Sequence, residues 1–241
     1  MYELVSVAFY SRNHCDNNQL TTVKSGEIGS VFQKDVTVLG GGSFGTVLAN
    51  IAAENGFKVT LWLRDADLAE VINSQRENSR YMPGYILHQG VTATTDLQQA
   101  VSDSPVILVS IPSDGFRSVV RSMASFLTQD QILVSTTKGF EADGFKLMSQ
   151  ILSSDTTNKK IGVLSGPNLA KEIANHALTA TVIASEHEEV IAVIQRLLAN
   201  AYFRVYSSND MFGVELGGAL KNIYAIISGL AAALEMGENT R

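Results

Sequence analysis

Gly40-Gly41-Gly42-Ser43-Phe44-Gly45 stands between an apolar run at 36–39 and an amphipathic stretch at 44–55. This G-x-G-x-x-G spacing constrains the chain more than any other feature, because it has physical meaning only where a strand turns into a helix. In that setting Gly40 permits the tight turn, Gly42 admits a pyrophosphate to the backbone, and Gly45 lets helix pack close on strand. The free N–H groups of the first helical turn, with the helix dipole, attract the anion. A second apolar run at 58–63 completes the unit. The pattern predicts dinucleotide binding, with a glycine-rich structural turn as the alternative.

The alternation continues along the chain. Apolar runs at 106–111, 132–134, 161–164, 178–184 and 203–205 are separated by amphipathic stretches at 115–127, 140–152, 169–174 and 186–198, and 66–76 follows the second run. Strand, helix, strand at this spacing means βαβ units, a mostly parallel sheet and helices on both faces. Residues 35–207 are therefore expected to form one doubly wound α/β domain. Residues 1–34 have weak periodicity and are expected to be a poorly ordered extension, or one short strand at 4–10. From 210 to 236 runs a single long helical pattern without proline, with Asn209 or Asp210 as its N-cap. Residues 208–241 are thus expected to be the first long helix of an all-helical domain. A helix of this length needs partner helices, and none follows before Arg241, so that domain is expected to be unfinished.

Charge and composition narrow the function. Eighteen basic against twenty-four acidic residues give a net charge of −6, which argues against nucleic acid as a partner. Cys15 is the single cysteine, so an intrachain disulfide and a thiolate zinc cluster are both excluded. His14, His88, His176 and His187 are scattered, and no metal site is expected. The uncharged stretch 36–53 approaches transmembrane length but holds three successive glycines with Ser43, Thr46 and Asn50, and the apolar run 222–234 is too short to span. The first residues lack a basic, cleavable leader. The expectation is a cytoplasmic protein without membrane insertion.

Several side chains sit where a ligand would reach them. At the end of the second run, Arg64-Asp65 offers a cation for the 2′-phosphate of NADP and a carboxylate for the ribose of NAD. Arg64 comes first, which leans toward NADP, and Asp65 is better suited to N-cap the next helix. Lys138 follows 132–137 at the carboxyl edge of the sheet, where ligands of open α/β folds collect. Ser165-Gly166-Pro167-Asn168 joins a strand to a helix start, as an oxyanion loop or as ordinary capping. Lys171, beside Glu172, reads as surface. Lys221 shares a helix face with Gly217, Gly218 and Ala225. Two adjacent glycines cost a helix about 2 kcal/mol relative to alanine, so something approaches closely there, a backbone or a ligand. A lysine in a partly desolvated cleft near other cations has its pKa lowered and can act as acid or base.

Taken together, Val38 to Thr46, Leu61-Trp62, Tyr81-Met82-Pro83-Gly84, Thr137-Lys138-Gly139, Leu164-Ser165-Gly166-Pro167, Ala170-Lys171-Glu172 and Gly213 to Asn222 resemble the bacterial type of NAD(P)-dependent glycerol-3-phosphate dehydrogenase. The resemblance covers residues 35–241 and implies a Rossmann-like domain followed by a helical one, with NAD or NADP as cofactor. It implies hydride transfer between sn-glycerol 3-phosphate and dihydroxyacetone phosphate, in service of phospholipid synthesis. Lys221 then exchanges the proton on the substrate C2 oxygen, and Lys138 touches both cofactor and substrate. Gly166 and Asn168 line the substrate site, while Ser43, Phe44, Arg64, Tyr81 and Ala170 match dinucleotide contacts. A homodimer is compatible with it. Residues 1–34 have no counterpart, and family members continue past the position of Arg241 into a segment that clamps the substrate phosphate. The alternatives are another Rossmann dehydrogenase acting on a hydroxy acid, and a dinucleotide-binding fragment without catalysis. For the chain as it stands, the expectation is dinucleotide binding with poor turnover, and association through the exposed part of the last helix.

Overall fold

A computed structural model describes residues 36–237; the extension at 1–34, with its expected strand, lies outside the described residues. Strands and helices alternate as β1 (Val36–Leu39), α1 (Ser43–Glu54), β2 (Val59–Trp62), α2 (Ala66–Gln75), β3 (Val91–Thr94), α3 (Leu97–Ser102), β4 (Val106–Val109) and α4 (Ser113–Ala124). They continue as β5 (Ile132–Ser135), α5 (Met148–Asp155), β6 (Ile161–Ser165), α6 (Ala170–Ala174), β7 (Thr179–Ala184), α7 (Glu188–Leu198), β8 (Phe203–Ser208) and α8 (Met211–Ala233).

The strands form one sheet in the order β3-β2-β1-β4-β5-β6-β7-β8. Every neighbouring pair is parallel except β6 with β7, so the expected doubly wound, mostly parallel architecture is present. Strands β1, β4 and β5 are buried along their whole length, as a parallel sheet covered on both faces requires. One layer gathers Leu39, Ile107, Val109 and Leu133 against Phe116, Val120 and Met123 of α4 and Ile151 of α5. On the other side α1 packs with α6 and α7.

Two elements depart from the sequence expectation. The pair β3 and α3 was not anticipated: β3 reads Val-Thr-Ala-Thr, a short edge strand whose inward residues are only Val91 and Ala93. The helix expected over 140–152 begins only at Met148. Gly139, Gly144 and Phe145 all have positive φ, which no helix accommodates, and residues 140–147 close instead on a Phe140–Leu147 bridge.

Helix α8 starts where expected, with the Asp210 carboxylate capping the Gly213 N–H at 2.8 Å. At 23 residues it is longer than the apolar run 222–234 considered in the sequence. By length and composition it is the one described helix able to cross a membrane. Its first turns, however, pack on β6 and β7, and its Glu215 is buried against Ser149. Beyond Lys221 most of the helix is exposed, including Ile223, Tyr224, Ile226 and Ile227, while Ala231 near its end is buried.

Gly45 shows how tightly α1 is set on β1. A Cβ there would lie 2.0 Å from the Gly40 carbonyl oxygen, whereas a Cβ at Gly42 would meet nothing within 4 Å. Gly45→Ala should therefore lower unfolding free energy in urea by about 3 kcal/mol, while Gly42→Ala should change it by less than about 0.5 kcal/mol.

Candidate functional site

The strand order turns back between β1 and β4, and open α/β folds bind ligands at such a crevice. Here Ser110, just past β4, donates its N–H to the Leu39 carbonyl at 2.8 Å. A cleft of about 1040 Å³ opens over the carboxyl ends of β1, β2, β4 and β5, and the glycine loop lines it.

Each glycine of the loop has its own cause. Gly40 has φ +117°, and a Cβ on it would lie 2.3 Å from the Ser110 carbonyl oxygen. Gly42 is the N-cap of α1 and makes no side-chain cap bond, so the first N–H groups of the helix are left for a ligand. The open space at Gly42 is the room a pyrophosphate needs. The loop is also held from outside. Fully buried Asn78 donates through Nδ2 to the Gly41 carbonyl at 2.8 Å and to Thr46 Oγ1 at 2.7 Å. Ser43 donates its hydroxyl to the Tyr81 carbonyl at 3.0 Å. Sequence reasoning missed Asn78, since an isolated asparagine in a loop gives no periodic signal.

Lys138 leaves the end of β5 by way of Thr137, whose hydroxyl donates to the Ile111 carbonyl at 2.6 Å. Its Nζ lies 5.5 Å from the centroid of the Phe44 ring, on the first turn of α1. Burial and the neighbouring Lys221 ammonium push Lys138 from a lysine's ordinary 10.5 down to about 8. The segment that carries it is fixed further along. Arg117 of α4 binds Glu141 through Nη2 at 2.9 Å and Asp155 of α5 through Nη1 at 2.9 Å.

Lys221 reaches this place because α8 docks on β6. A Cβ at Gly218 would lie 2.2 Å from Ser165 Oγ and 3.9 Å from Lys138 Cγ. What approaches the double glycine is thus a serine side chain at Gly218, while Gly217 faces open space. One turn earlier, Glu215 accepts from the Ser149 N–H at 2.9 Å and from its hydroxyl, capping the start of α5 from another helix. Burial pushes this carboxyl up, against the Ser149 hydrogen bonds that hold it down. Neither Glu215 nor Ser149 was singled out from sequence as a functional group; a lone glutamate within an apolar helix was the available signal.

Asn168 sits on the far side of Ser165. Thr181 Oγ1 donates to the Ser165 carbonyl at 3.0 Å and accepts from Asn168 Nδ2 at 2.9 Å. That orients the amide and leaves its buried Oδ1 without a hydrogen-bond partner.

Of the residues singled out in the sequence, Gly40, Gly42, Phe44 and Gly45 line the cleft. So do Arg64, Tyr81, Lys138 and Asn168. Ser43, Gly166, Ala170 and Lys221 stand behind or beside it. Gly166 packs against the β7 backbone, 3.1 Å from the Ala180 carbonyl to where its Cβ would be. Ala170 opens α6, which packs on α1. Lys171 is exposed, as expected. Asp65 caps α2 through the Leu68 N–H at 3.1 Å, also as expected.

This sheet, with its glycine turn at the switch point, defines a Rossmann-like α/β protein. The family model for the NAD-dependent glycerol-3-phosphate dehydrogenase N-terminus matches residues 35–191, and that for its C-terminus matches residues 210–241. The chain belongs to the NAD-dependent glycerol-3-phosphate dehydrogenase family. It is 56% identical over 205 residues to the glycerol-3-phosphate dehydrogenase [NAD(P)+] of Saccharophagus degradans, covering 85% of this chain and 57% of that protein. With the enzyme of the same name from Pseudomonas paraeruginosa it shares 56% over 209 residues, 87% of this chain and 61% of that one. The crystal structure of glycerol-3-phosphate dehydrogenase from Coxiella burnetii superposes with a TM-score of 0.80 at 34% identity, over 86% of this chain and 64% of that one. The chain thus spans about three fifths of the length of these curated relatives.

The lysine pair makes a chemical prediction. Acylation of Lys138 by an amine-reactive ester, followed by peptide mass spectrometry, should rise with a midpoint near pH 8. In Lys221→Met the like charge is gone, so the midpoint should move up toward that of an ordinary lysine.

Proposed function

We propose that this chain binds NAD or NADP at the glycine loop and acts in the reversible conversion of dihydroxyacetone phosphate to sn-glycerol 3-phosphate, the step that feeds phospholipid synthesis. The observation that carries this reading is the meeting of Lys221 with Lys138, whose ammonium lies over Phe44 on the first turn after the glycine loop. Two ammonium groups brought together in a half-buried place repel each other, and an anionic, oxygen-rich substrate relieves that repulsion.

The residues divide the work. Gly42, Ser43, Phe44 and Gly45 offer backbone N–H groups and space to the pyrophosphate. Gly40 makes the tight turn with its own N–H donated to the Trp62 carbonyl, and Arg64, Tyr81 and Ala170 lie along the rest of the dinucleotide. The dinucleotide, when bound, is the hydride carrier. Lys138, mostly an ammonium at pH 7, holds cofactor and substrate together by charge. Gly166 and Asn168 border the substrate, Gly166 through backbone that lies tight on β7. Lys221 Nζ gives a proton to the C2 oxygen of the ketone as C2 is reduced, and takes it back in the reverse direction. The partner is a small phosphorylated molecule, and the reading places the protein in the cytoplasm, where such metabolites and dinucleotides are held. It is compatible with a homodimer.

A second reading is favoured by one observation: most of α8 beyond Lys221 is exposed among the described residues. In this reading the chain binds dinucleotide with little turnover. Turnover of dihydroxyacetone phosphate with NADH and with NADPH, measured beside the affinity for each cofactor, separates the two readings.

Gly42→Val places its side chain in the space left open at the start of α1. The variant should fold with unchanged thermal stability and lose dinucleotide affinity by at least about 100-fold, as read by NADH fluorescence titration. Unchanged affinity in the folded variant would put the cofactor elsewhere.

A further inference from the structure

Past the end of β2, three charged side chains gather on the cleft: Arg64, Asp65 and Arg80. Asp65 is engaged at both oxygens. Its Oδ1 caps α2, and its Oδ2 meets Arg80 Nη1 at 3.1 Å. Arg80 comes from a different part of the chain, the segment after α2. Its guanidinium carbon lies 5.5 Å from the centroid of the Tyr81 ring, which also lines the cleft. The pair is open to solvent, with 63% of the Arg80 side chain and 42% of the Asp65 side chain exposed. An ion pair of this kind contributes little to stability, so its place on the cleft calls for another account.

A carboxylate after the second strand of such a sheet suits a ribose 2′-hydroxyl and repels a 2′-phosphate. Asp65 would therefore select against NADP if it stood alone beside Arg64. It does not stand alone, because Arg80 neutralises it and brings further N–H donors to the same spot. We propose that Arg80 is a specificity-determining residue, which masks Asp65 and joins Arg64 in a subsite for the 2′-phosphate of NADPH. This rests on the dinucleotide-binding reading above, and adds to it a preference for the phosphorylated cofactor and the residue that sets it. Asp65 has two consequences for the protein, fixing the start of α2 and, once paired, holding Arg80 at the cleft.

The test uses the full chain and four proteins: wild type, Arg80→Ala, Asp65→Asn and the double variant. Asparagine caps a helix as well as aspartate does, so Asp65→Asn leaves α2 intact. Dissociation constants for NADPH and NADH are measured by fluorescence titration, with 2′,5′-ADP and 5′-ADP as competitors. Wild type should bind NADPH more tightly than NADH. Arg80→Ala should weaken NADPH by roughly tenfold and NADH by less than about twofold, with the difference shrinking as salt is raised. The double variant should regain part of the lost NADPH affinity, because the unmasked carboxylate is gone. The advantage of 2′,5′-ADP over 5′-ADP should fall in Arg80→Ala. Wild type favouring NADH, or equal losses for both cofactors in Arg80→Ala, overturns the proposal and leaves the dinucleotide reading standing. Wild type binding neither cofactor defeats that reading, and the proposal with it.

Discussion

The backbone of Gly40 against that of Ser110 is the contact on which the rest of the site depends. With a side chain at Gly40 the two strands β1 and β4 could not close at their carboxyl ends, for its Cβ would fall 2.3 Å from a carbonyl oxygen. Because they do close, the chain leaves β1 in a turn tight enough to start α1 at Ser43. Gly45 then sits directly over the Gly40 carbonyl. The position of Phe44, and through it the face offered to Lys138, follows from that sequence of close approaches. Asn78 completes the arrangement by fixing the Gly41 peptide from the outside.

Against this rigid corner the structure sets two like charges. Lys138 is held by the Arg117–Glu141–Asp155 network and by the Thr137 hydroxyl, and Lys221 by the docking of α8 at Gly218 and Glu215. Burial first, and the Lys221 charge beside it second, lower the proton affinity of Lys138.

Much of this was legible before any coordinates. The glycine turn and the buried strands β1, β4 and β5 have local signals, an i, i+2, i+5 glycine spacing and unbroken apolar runs, that survive without knowledge of neighbours. Asp65 and Asp210 as caps were legible for the same reason, since capping is decided within four residues. The features that were not legible depend on partners distant in sequence. Glu215 caps a helix that begins 67 residues earlier, at Met148, and Asn78 serves a loop 37 residues away from it. The loop at 140–147 read as helix because its polar and apolar residues fit that period, while Phe145 at φ 52° and its neighbouring glycines follow from tertiary closure. The edge strand β3 was missed because two inward side chains make too short a pattern.

The manner in which α8 is fastened gives the molecule a mechanical property. The helix is about 35 Å long at 1.5 Å per residue, and its packing on the sheet lies near one end, at Glu215 and Gly218. With Gly218 as the fulcrum, roughly 22 Å of arm runs from there to Ala233, and Ala231 is its one buried residue among those described beyond Lys221. Lys221 stands only one turn from the fulcrum. Tilting the free end by about 2 Å would carry the Lys221 backbone by only about 0.4 Å, in proportion to its place on the arm. Movement of the outer half of the helix is therefore geared down before it reaches the Lys221 amine.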